Sequence, residues 1–312
     1  MTDRLFIGTR GSRLALAQAE AVAHTVQAAH PHVDVQLQVI STEGDRVTGG
    51  ALPSWGQGVF VRDIERALLD ARVDLAVHSL KDIPAEVPAG LAIVAVPSRA
   101  DPGDVLVTSD GRSLDELPPG ARVGTSSLRR AAFLRAYRPD LDYVPVRGNV
   151  DTRWRKLLDP AQGYDALVLA SAGLIRLGLD EVPRWPIPTG ILLPAPGQGA
   201  LALEARADDK GVHDLTLAVH DADTEAAVAA EREALGTLEG GCRLPVAALA
   251  TVQDGRLRLE VAVAAPDGSR VLRHSEEGTG EQCEALGAAA AQALLAQGAA
   301  ALLEGAVVGV AR

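Results

Sequence analysis

The stretch Gly124-Thr125-Ser126-Ser127-Leu128-Arg129-Arg130 decides how this chain is read. A strand-like run, Ala121 to Val123, enters it, and a helical pattern, Ala131 to Tyr137, leaves it. Free backbone N–H groups at a helix start attract anions. Ser126 and Ser127 add hydroxyl donors or a cap. Arg129 and Arg130 place two guanidiniums beside the turn, and Arg135, Arg138, Arg147, Arg153 and Arg155 come after them. From Arg122 to Lys156 there are nine Lys/Arg against Asp140, Asp142 and Asp151, although the whole chain has a formal net charge of -11. A basic cluster inside an acidic chain suggests a polyanionic ligand, and arginine grips carboxylate or phosphate bidentately. For Arg135 and Arg138 a solvated helix face with scattered ion pairs is an equal alternative.

At 312 residues the chain is expected to form two or three domains. Hydrophobic residues make up 47% and aromatics only 3%, so the cores are expected to be built from Leu, Val and Ala. Two cysteines exclude a disulfide framework and a four-thiolate zinc site. His24, His30, His32, His213, His220 and His274 show no metal-ligand spacing, and no metal is expected. No apolar run approaches a membrane span, and the N-terminus leads directly into Leu5-Phe6-Ile7-Gly8 without a targeting pattern. A soluble, cytoplasmic protein is expected, a monomer because no long hydrophobic stripe is left over. The acidic balance and scarcity of aromatics argue against a nucleic-acid surface.

Outward from the central stretch, the same device recurs. Leu5 to Ile7 reads as a strand, Gly8-Thr9-Arg10-Gly11-Ser12-Arg13 as a donor-rich turn, and Leu14 to Ala29 as a helix. Next come strand Val33 to Ile40, helix Val59 to Leu69 and strand Val73 to Val77, the last delivering His78-Ser79-Leu80-Lys81-Asp82-Ile83-Pro84. The loop Ser41 to Gly58 is Gly-rich, polar and unperiodic. This order implies an open, largely parallel sheet with ligands at the carboxyl ends of its strands. After strand Leu91 to Val96, the segment Pro97 to Gly103 reads as a crossing. The second α/β pattern comprises strand Val105 to Thr108, helix Leu128 to Tyr137, strand Leu141 to Val146, the turn Arg147 to Arg153, helix Trp154 to Leu158, strand Ala166 to Ala170 and a helix opened by Ser171 to Arg176. Pro183 to Pro188 reads as irregular. Leu193 to Ala200 reads as a rigid return crossing that restores residues 200 onward to the first domain. The remainder reads as helix Thr224 to Leu238, the loop Glu239-Gly240-Gly241-Cys242-Arg243-Leu244-Pro245, strands Ala247 to Val252, Leu257 to Ala264 and Ser269 to His274, and one Ala-rich helix, Gly280 to Leu303.

Two residues stand out as carriers of chemistry. A thiol in an accessible Gly-rich loop, as at Cys242, serves as nucleophile or covalent attachment point; the alternative is an inert buried thiol, which suits Cys283. Asp82 sits beside Lys81 at a strand end. A carboxylate next to a cation stays ionised and can stabilise a developing cation or shuttle a proton, or it is a simple cap or ion pair. His78 reads as a supporting group. The residues alone leave open a non-catalytic anion-binding module and a cysteine-nucleophile transferase or hydrolase, although no local His offers Cys242 a base.

Together, Ile7 to Leu16, His78 to Pro84, Gly124 to Arg130, Arg147 to Arg153, Ala195 to Ala200 and Glu239 to Cys242 closely resemble the porphobilinogen deaminase (hydroxymethylbilane synthase) family, in family order across almost the whole chain. The resemblance implies an α/β fold: two periplasmic-binding-protein-like α/β domains plus a small C-terminal α+β domain. The implied boundaries are 1–98 with 200–217, then 99–199, then 218–312. It implies a transferase that condenses four porphobilinogen molecules head to tail with loss of ammonia, and then releases hydroxymethylbilane by hydrolysis. It implies a dipyrromethane cofactor held by a thioether to Cys242, with Lys81, Ser127, Arg129, Arg130 and Gly173 as further cofactor-binding residues. Arg10, Ser12, Arg147, Arg153, Arg176 and Gln198 are implied for substrate, and Asp82 for catalysis. Each pyrrole carries an acetate and a propionate, which fits the arginine turns. One departure is the loop 46–58, which holds Ser54-Trp55-Gly56-Gln57-Gly58 and no lysine, where many family members carry lysines.

Overall fold

The structure, a computed structural model, describes residues 4–42, 61–84, 86–238 and 244–309. Cys242 and the loop 46–58 lie outside the described residues. In chain order the elements are β1 (Arg4–Thr9), α1 (Arg13–Ala29), β2 (Asp34–Val39), α2 (Arg62–Leu69), β3 (Leu75–Ser79), a 3-10 turn (Leu80–Asp82), β4 (Leu91–Ala95), β5 (Asp104–Thr108), β6 (Arg122–Gly124), α3 (Leu128–Tyr137), β7 (Asp142–Val144), α4 (Val150–Leu158), a 3-10 turn (Pro160–Gln162), β8 (Ala166–Ala170), α5 (Ser171–Arg176), β9 (Arg184–Pro186), β10 (Leu201–Arg206), α6 (Lys210–Thr216), a 3-10 turn (Leu217–Val219), α7 (Ala222–Thr237), β11 (Val246–Gln253), β12 (Arg256–Ala264), β13 (Val271–Thr279), a 3-10 turn (Gly280–Gln282), α8 (Cys283–Ala296) and α9 (Ala299–Gly309). They form two compact units, residues 1–100 with 200–225, and 101–199 with 226–312.

The first unit is a five-stranded sheet in the order β2-β1-β3-β10-β4. β1 runs parallel to β2 and β3, whereas β10 is antiparallel to both β3 and β4. The two-residue period of a strand sends alternate side chains to opposite faces. Leu5, Ile7, Leu75 and Val77 therefore meet Ala19, Val22 and Val26 of α1, while Ala76 meets Ile64, Ala67 and Leu68 of α2 on the other face. α1 begins where Ser12 accepts a hydrogen bond from the Ala15 N–H at 3.3 Å.

The second unit repeats the plan with the order β7-β6-β8-β5-β9. β6 is parallel to β7 and β8; β5 is antiparallel to β8 and β9. Leu106, Ala166 and Val168 pack on Ala132, Phe133 and Leu134 of α3, and Val107, Leu167 and Leu169 pack on Leu157 and Leu174 on the opposite face. A three-stranded meander, β11-β12-β13, belongs to this unit. Ala247, Ala262 and Ala264 join the α3 side of the core, while Leu257, Leu259, Val261 and Val263 pack on Ala230 and Ala234 of α7 and Leu286, Ala290 and Leu294 of α8.

The structure departs from the sequence reading in several elements: helix Lys210–Thr216 is absent from that reading, and the last strand runs on to Thr279. Pro183 to Pro188 is not irregular: Arg184–Pro186 pairs with β5 as an edge strand, where a proline without an N–H costs no ladder bond on its open side. The single C-terminal helix is two, parted at Gly298, whose φ of 94° is open to glycine and strained for other residues. The helix expected from Trp154 starts a turn earlier, at Val150.

Candidate active site

In the second unit, β6, β7 and β8 are parallel neighbours, so the segments leaving their last residues emerge at one edge of the sheet. Those segments are the turn Thr125–Ser127 into α3, the turn Arg147–Asn149 into α4, and the start of α5 at Ser171. β5 is antiparallel and aligns Asp104 with Ala170, so its first residue lies at that same edge. Sheet topology thus gathers Ser127, Arg129, Arg130, Arg147, Arg153, Gly173 and Arg176 from three separate segments.

Around α3 the small residues are engaged. Ser127 accepts the Arg130 N–H at 3.4 Å as the N-cap, and the Ser126 hydroxyl donates to the Val146 carbonyl at 2.7 Å, tying this turn to the one beyond β7. Arg129 and Arg130 are buried, at 4% and 7% exposure, and close on Asp104, which is 1% exposed. Arg129 Nη2 lies 2.8 Å from Asp104 Oδ2, and Arg130 Nη2 lies 2.7 Å from Oδ1. Arg129 also donates to the Leu193 carbonyl at 2.6 Å, and Arg130 to the Val168 carbonyl at 2.8 Å. Burial works to raise the Asp104 carboxyl, but the two guanidiniums and the Gln198 amide outweigh it and hold it below its ordinary value. Two cations share this one carboxylate. Burial also lowers Arg129, with the Arg130 charge adding to the effect, and the Arg129 Nε–H has no acceptor among the described residues.

Arg153 and Arg176 have carbonyl partners rather than carboxylates. Arg153 Nε donates to the Gly148 carbonyl at 2.8 Å and Arg176 Nη2 to the Gly199 carbonyl at 2.7 Å; among the described residues neither forms an ion pair. Burial lowers Arg153, with Arg130 as a secondary cause, and lowers Arg176 to about 10. Gly148, at φ 110°, makes the turn that presents its carbonyl, and a Cβ there would lie 2.7 Å from Thr152 Cγ2. Arg147 is exposed and Gly173 is buried at the start of α5. Gln198 is 1% exposed and turns its amide inward, 3.0 Å from Asp104 Oδ1 and 2.7 Å from the Pro102 carbonyl.

The first unit uses the same geometry. β1 and β3 are parallel neighbours, so Arg10–Ser12 and Leu80–Asp82 emerge at one sheet edge. Arg10 and Lys81 are half-buried and Asp82 is exposed. Behind Asp82 the strand end is held firmly. His78 Nε2 and Glu204 Oε2 are 3.1 Å apart and buried, Gln18 Nε2 donates to Ser79 Oγ at 3.1 Å, and the Leu80 N–H donates to the Ala200 carbonyl at 3.1 Å. Burial, seconded by the Glu204 charge, raises the carboxyl of Glu65 nearby. Cys283 is part-buried against the helix–meander core.

Sequence reasoning passed over Asp104, Glu204 and Glu231. Each is an acid set in an apolar run, which was the available signal: Asp104 opens Val105 to Val107, Glu204 interrupts Leu201 to Ala205, and Glu231 comes directly after Ala226 to Ala230. Among the described residues no helix is long and apolar enough to cross a membrane, and no group of three His, Cys, Asp or Glu could hold a metal.

Two open α/β sheets, each edged by donor turns carrying arginine, together with a small three-stranded meander, define a mixed α/β protein. The chain belongs to the porphobilinogen deaminase family. Residues 5–214 match the model of the porphobilinogen deaminase dipyrromethane cofactor binding domain, and residues 226–296 match that of the porphobilinogen deaminase C-terminal domain. The chain is 51% identical to the porphobilinogen deaminase of Desulforudis audaxviator over 97% of its own length and 98% of the relative's. It is 47% identical to that of Syntrophobacter fumaroxidans over the same shares, 97% and 98%. Among solved structures it is similar to the methionine binding protein MetQ, at 14% identity and a TM-score of 0.43, covering 70% of this chain and 89% of that one.

Proposed function

We propose that the chain condenses four porphobilinogen molecules stepwise, with release of ammonia, and hydrolyses the product to hydroxymethylbilane, on a dipyrromethane joined through a thioether to Cys242. The observation that carries this reading is the surplus of guanidinium over carboxylate at one sheet edge: Arg129 and Arg130 share Asp104, and Arg153 and Arg176 have only carbonyl partners among the described residues. Such an edge fits a chain of pyrroles bearing acetates and propionates. The residues present therefore fit the cofactor. When bound, it supplies the nucleophilic pyrrole carbon to which substrate units are added.

The protein's part in this reading is to bind, orient and move protons. Lys81, Ser127, Arg129, Arg130 and Gly173 hold the cofactor, and Arg10, Ser12, Arg147, Arg153, Arg176 and Gln198 hold incoming substrate. Ser12 and Ser127 accept as helix caps and keep their hydroxyl protons to donate to a carboxylate. Asp82, exposed at the end of a tethered strand, would serve as counter-charge to the cation left as ammonia departs and would take the proton that coupling releases. Arg129 and Arg130 are locked into place by Asp104 before any ligand arrives, so little reorganisation is needed on binding. Three domains, 1–98 with 200–217, 99–199 and 218–312, a cytoplasmic location and a monomeric state belong to the same reading.

The test is the intact mass of freshly purified protein under denaturing conditions. An excess equal to two linked pyrrole units, mapping to the Cys242 peptide, supports the reading. A bare mass that gains nothing on incubation with porphobilinogen rejects it. D82N is expected to keep that mass excess while losing turnover by about 10²–10⁴-fold, and C242S to lose both; normal turnover in D82N would remove Asp82 from the mechanism.

A further inference from the structure

We infer that Glu231 is a positioning residue that sets the turn carrying Gln198. Its carboxylate is fully buried within the second unit, and it joins two segments far apart in sequence. Oε2 accepts the Gly197 N–H at 2.7 Å, and Oε1 accepts the Ala250 N–H of β11 at 2.7 Å. A buried carboxylate that accepts a backbone N–H with each oxygen is a two-pronged clamp, and charge-assisted bonds of this kind are among the stronger ones available to a protein.

The clamped turn is where the proposed binding residues converge. Arg129 donates to the Leu193 carbonyl, the Ala248 N–H to the Pro194 carbonyl, Gln198 to Asp104, and Arg176 to the Gly199 carbonyl. Gly197 and Gly199 both adopt left-handed backbone, at φ 70° and 87°, so the turn has a shape that its own chain does not enforce. Glu231 acts on it from α7, the helix whose sequence runs on into Glu239-Gly240-Gly241-Cys242. A shift of this turn would move the carbonyl that orients Arg176 and the amide that meets Asp104 together. A misplacement on the order of 1 Å costs about 100-fold in a positioned reaction.

The inference rests on the proposed deaminase activity, and the experiment separates the two. E231Q keeps shape and volume but offers one acceptor oxygen, and its NH₂ would face a backbone N–H. The holoenzymes of wild type, E231Q, Q198A and the double variant are compared. Wild-type turnover of porphobilinogen and the intact-mass excess report on the activity itself; if wild type shows neither, the functional reading fails, and this inference with it. Given an active wild type, E231Q is expected to carry the full mass excess, to lose about 10- to 100-fold in kcat/KM with a raised KM, and to add little to the loss in Q198A. Unchanged kcat/KM and KM in loaded E231Q, or losses that multiply in the double variant, would overturn the inference. E231D, which retains two acceptors on a shorter stem, is expected to recover part of the loss. If neither Glu231 variant folds, hydrogen exchange of wild type decides: slow exchange at the Gly197 amide is expected, and exchange at a free-loop rate would overturn the clamp.

Discussion

Arg176 is a guanidinium that burial has made uncomfortable. Its pKa is pushed down to about 10 because desolvation is not offset by a carboxylate, and the Gly199 carbonyl offsets it only in part. A cation whose folded pKa lies below its ordinary value costs stability at every pH below about 10, and that cost is relieved as pH rises from there toward the ordinary arginine value. In the proposed enzyme a substrate carboxylate would cancel the same cost, and the site would be a stronger anion receptor than an exposed arginine. Two results are expected from KM measured against pH. Wild-type KM should climb as pH passes about 10 and Arg176 loses its proton. R176Q should start with KM raised about 10- to 100-fold, the range of one charge-assisted hydrogen bond, and should lack that climb. An R176Q profile that keeps the climb would assign it to another group.

Helix α3 is seated by charge as much as by its apolar face. Phe133 and Leu134 enter the core, but Arg129 and Arg130 reach past the helix start to Asp104 at the head of β5. Removing one partner from a buried ion cluster strands the others, at a cost on the order of 3–5 kcal/mol. D104N is therefore expected to lower the thermal midpoint sharply at neutral pH. The pH dependence has a definite sign. Asp104 titrates below its ordinary value of 3.8 in the folded protein, so its stabilisation is present above that value and lost as pH falls through it toward the folded pKa. Wild type should lose stability more steeply than D104N as pH falls below about 4, read from melting curves; parallel slopes would contradict the ion-cluster account. The helix itself was legible from sequence, since Ser127, the small-residue turn and the apolar pattern all agree over Leu128–Tyr137. Asp104 was not, because only the antiparallel insertion of β5 beside β8 brings it to the arginines. Glu231 was hidden in the same way, the Gly197 and Ala250 amides that it accepts lying 34 and 19 residues away. Gly298 was missed for a local reason: in an Ala-rich run a glycine that breaks a helix looks the same as one that a helix tolerates.

Across the whole molecule the charge is unevenly spent, with a formal net charge of -11 and yet, among the described residues, Arg129 and Arg130 sharing one carboxylate and Arg153 and Arg176 bonded only to carbonyls. Like charges held together in a folded chain weaken it, and an anion that binds only the folded form restores stability by mass action. In the proposed enzyme the cofactor carboxylates are that anion, permanently attached. The C242S protein, which cannot attach them, should melt below the holoenzyme by on the order of several degrees. Citrate, a polycarboxylate of similar charge density, should then raise the C242S midpoint markedly and the holoenzyme midpoint little, while sodium chloride at matched ionic strength should do neither, because screening does not reproduce a bidentate contact. Melting curves of the two proteins in the two salts distinguish the cases. If citrate moved both proteins equally, the arginine edge would not be the cofactor's seat, and the surplus charge would need another ligand to explain it.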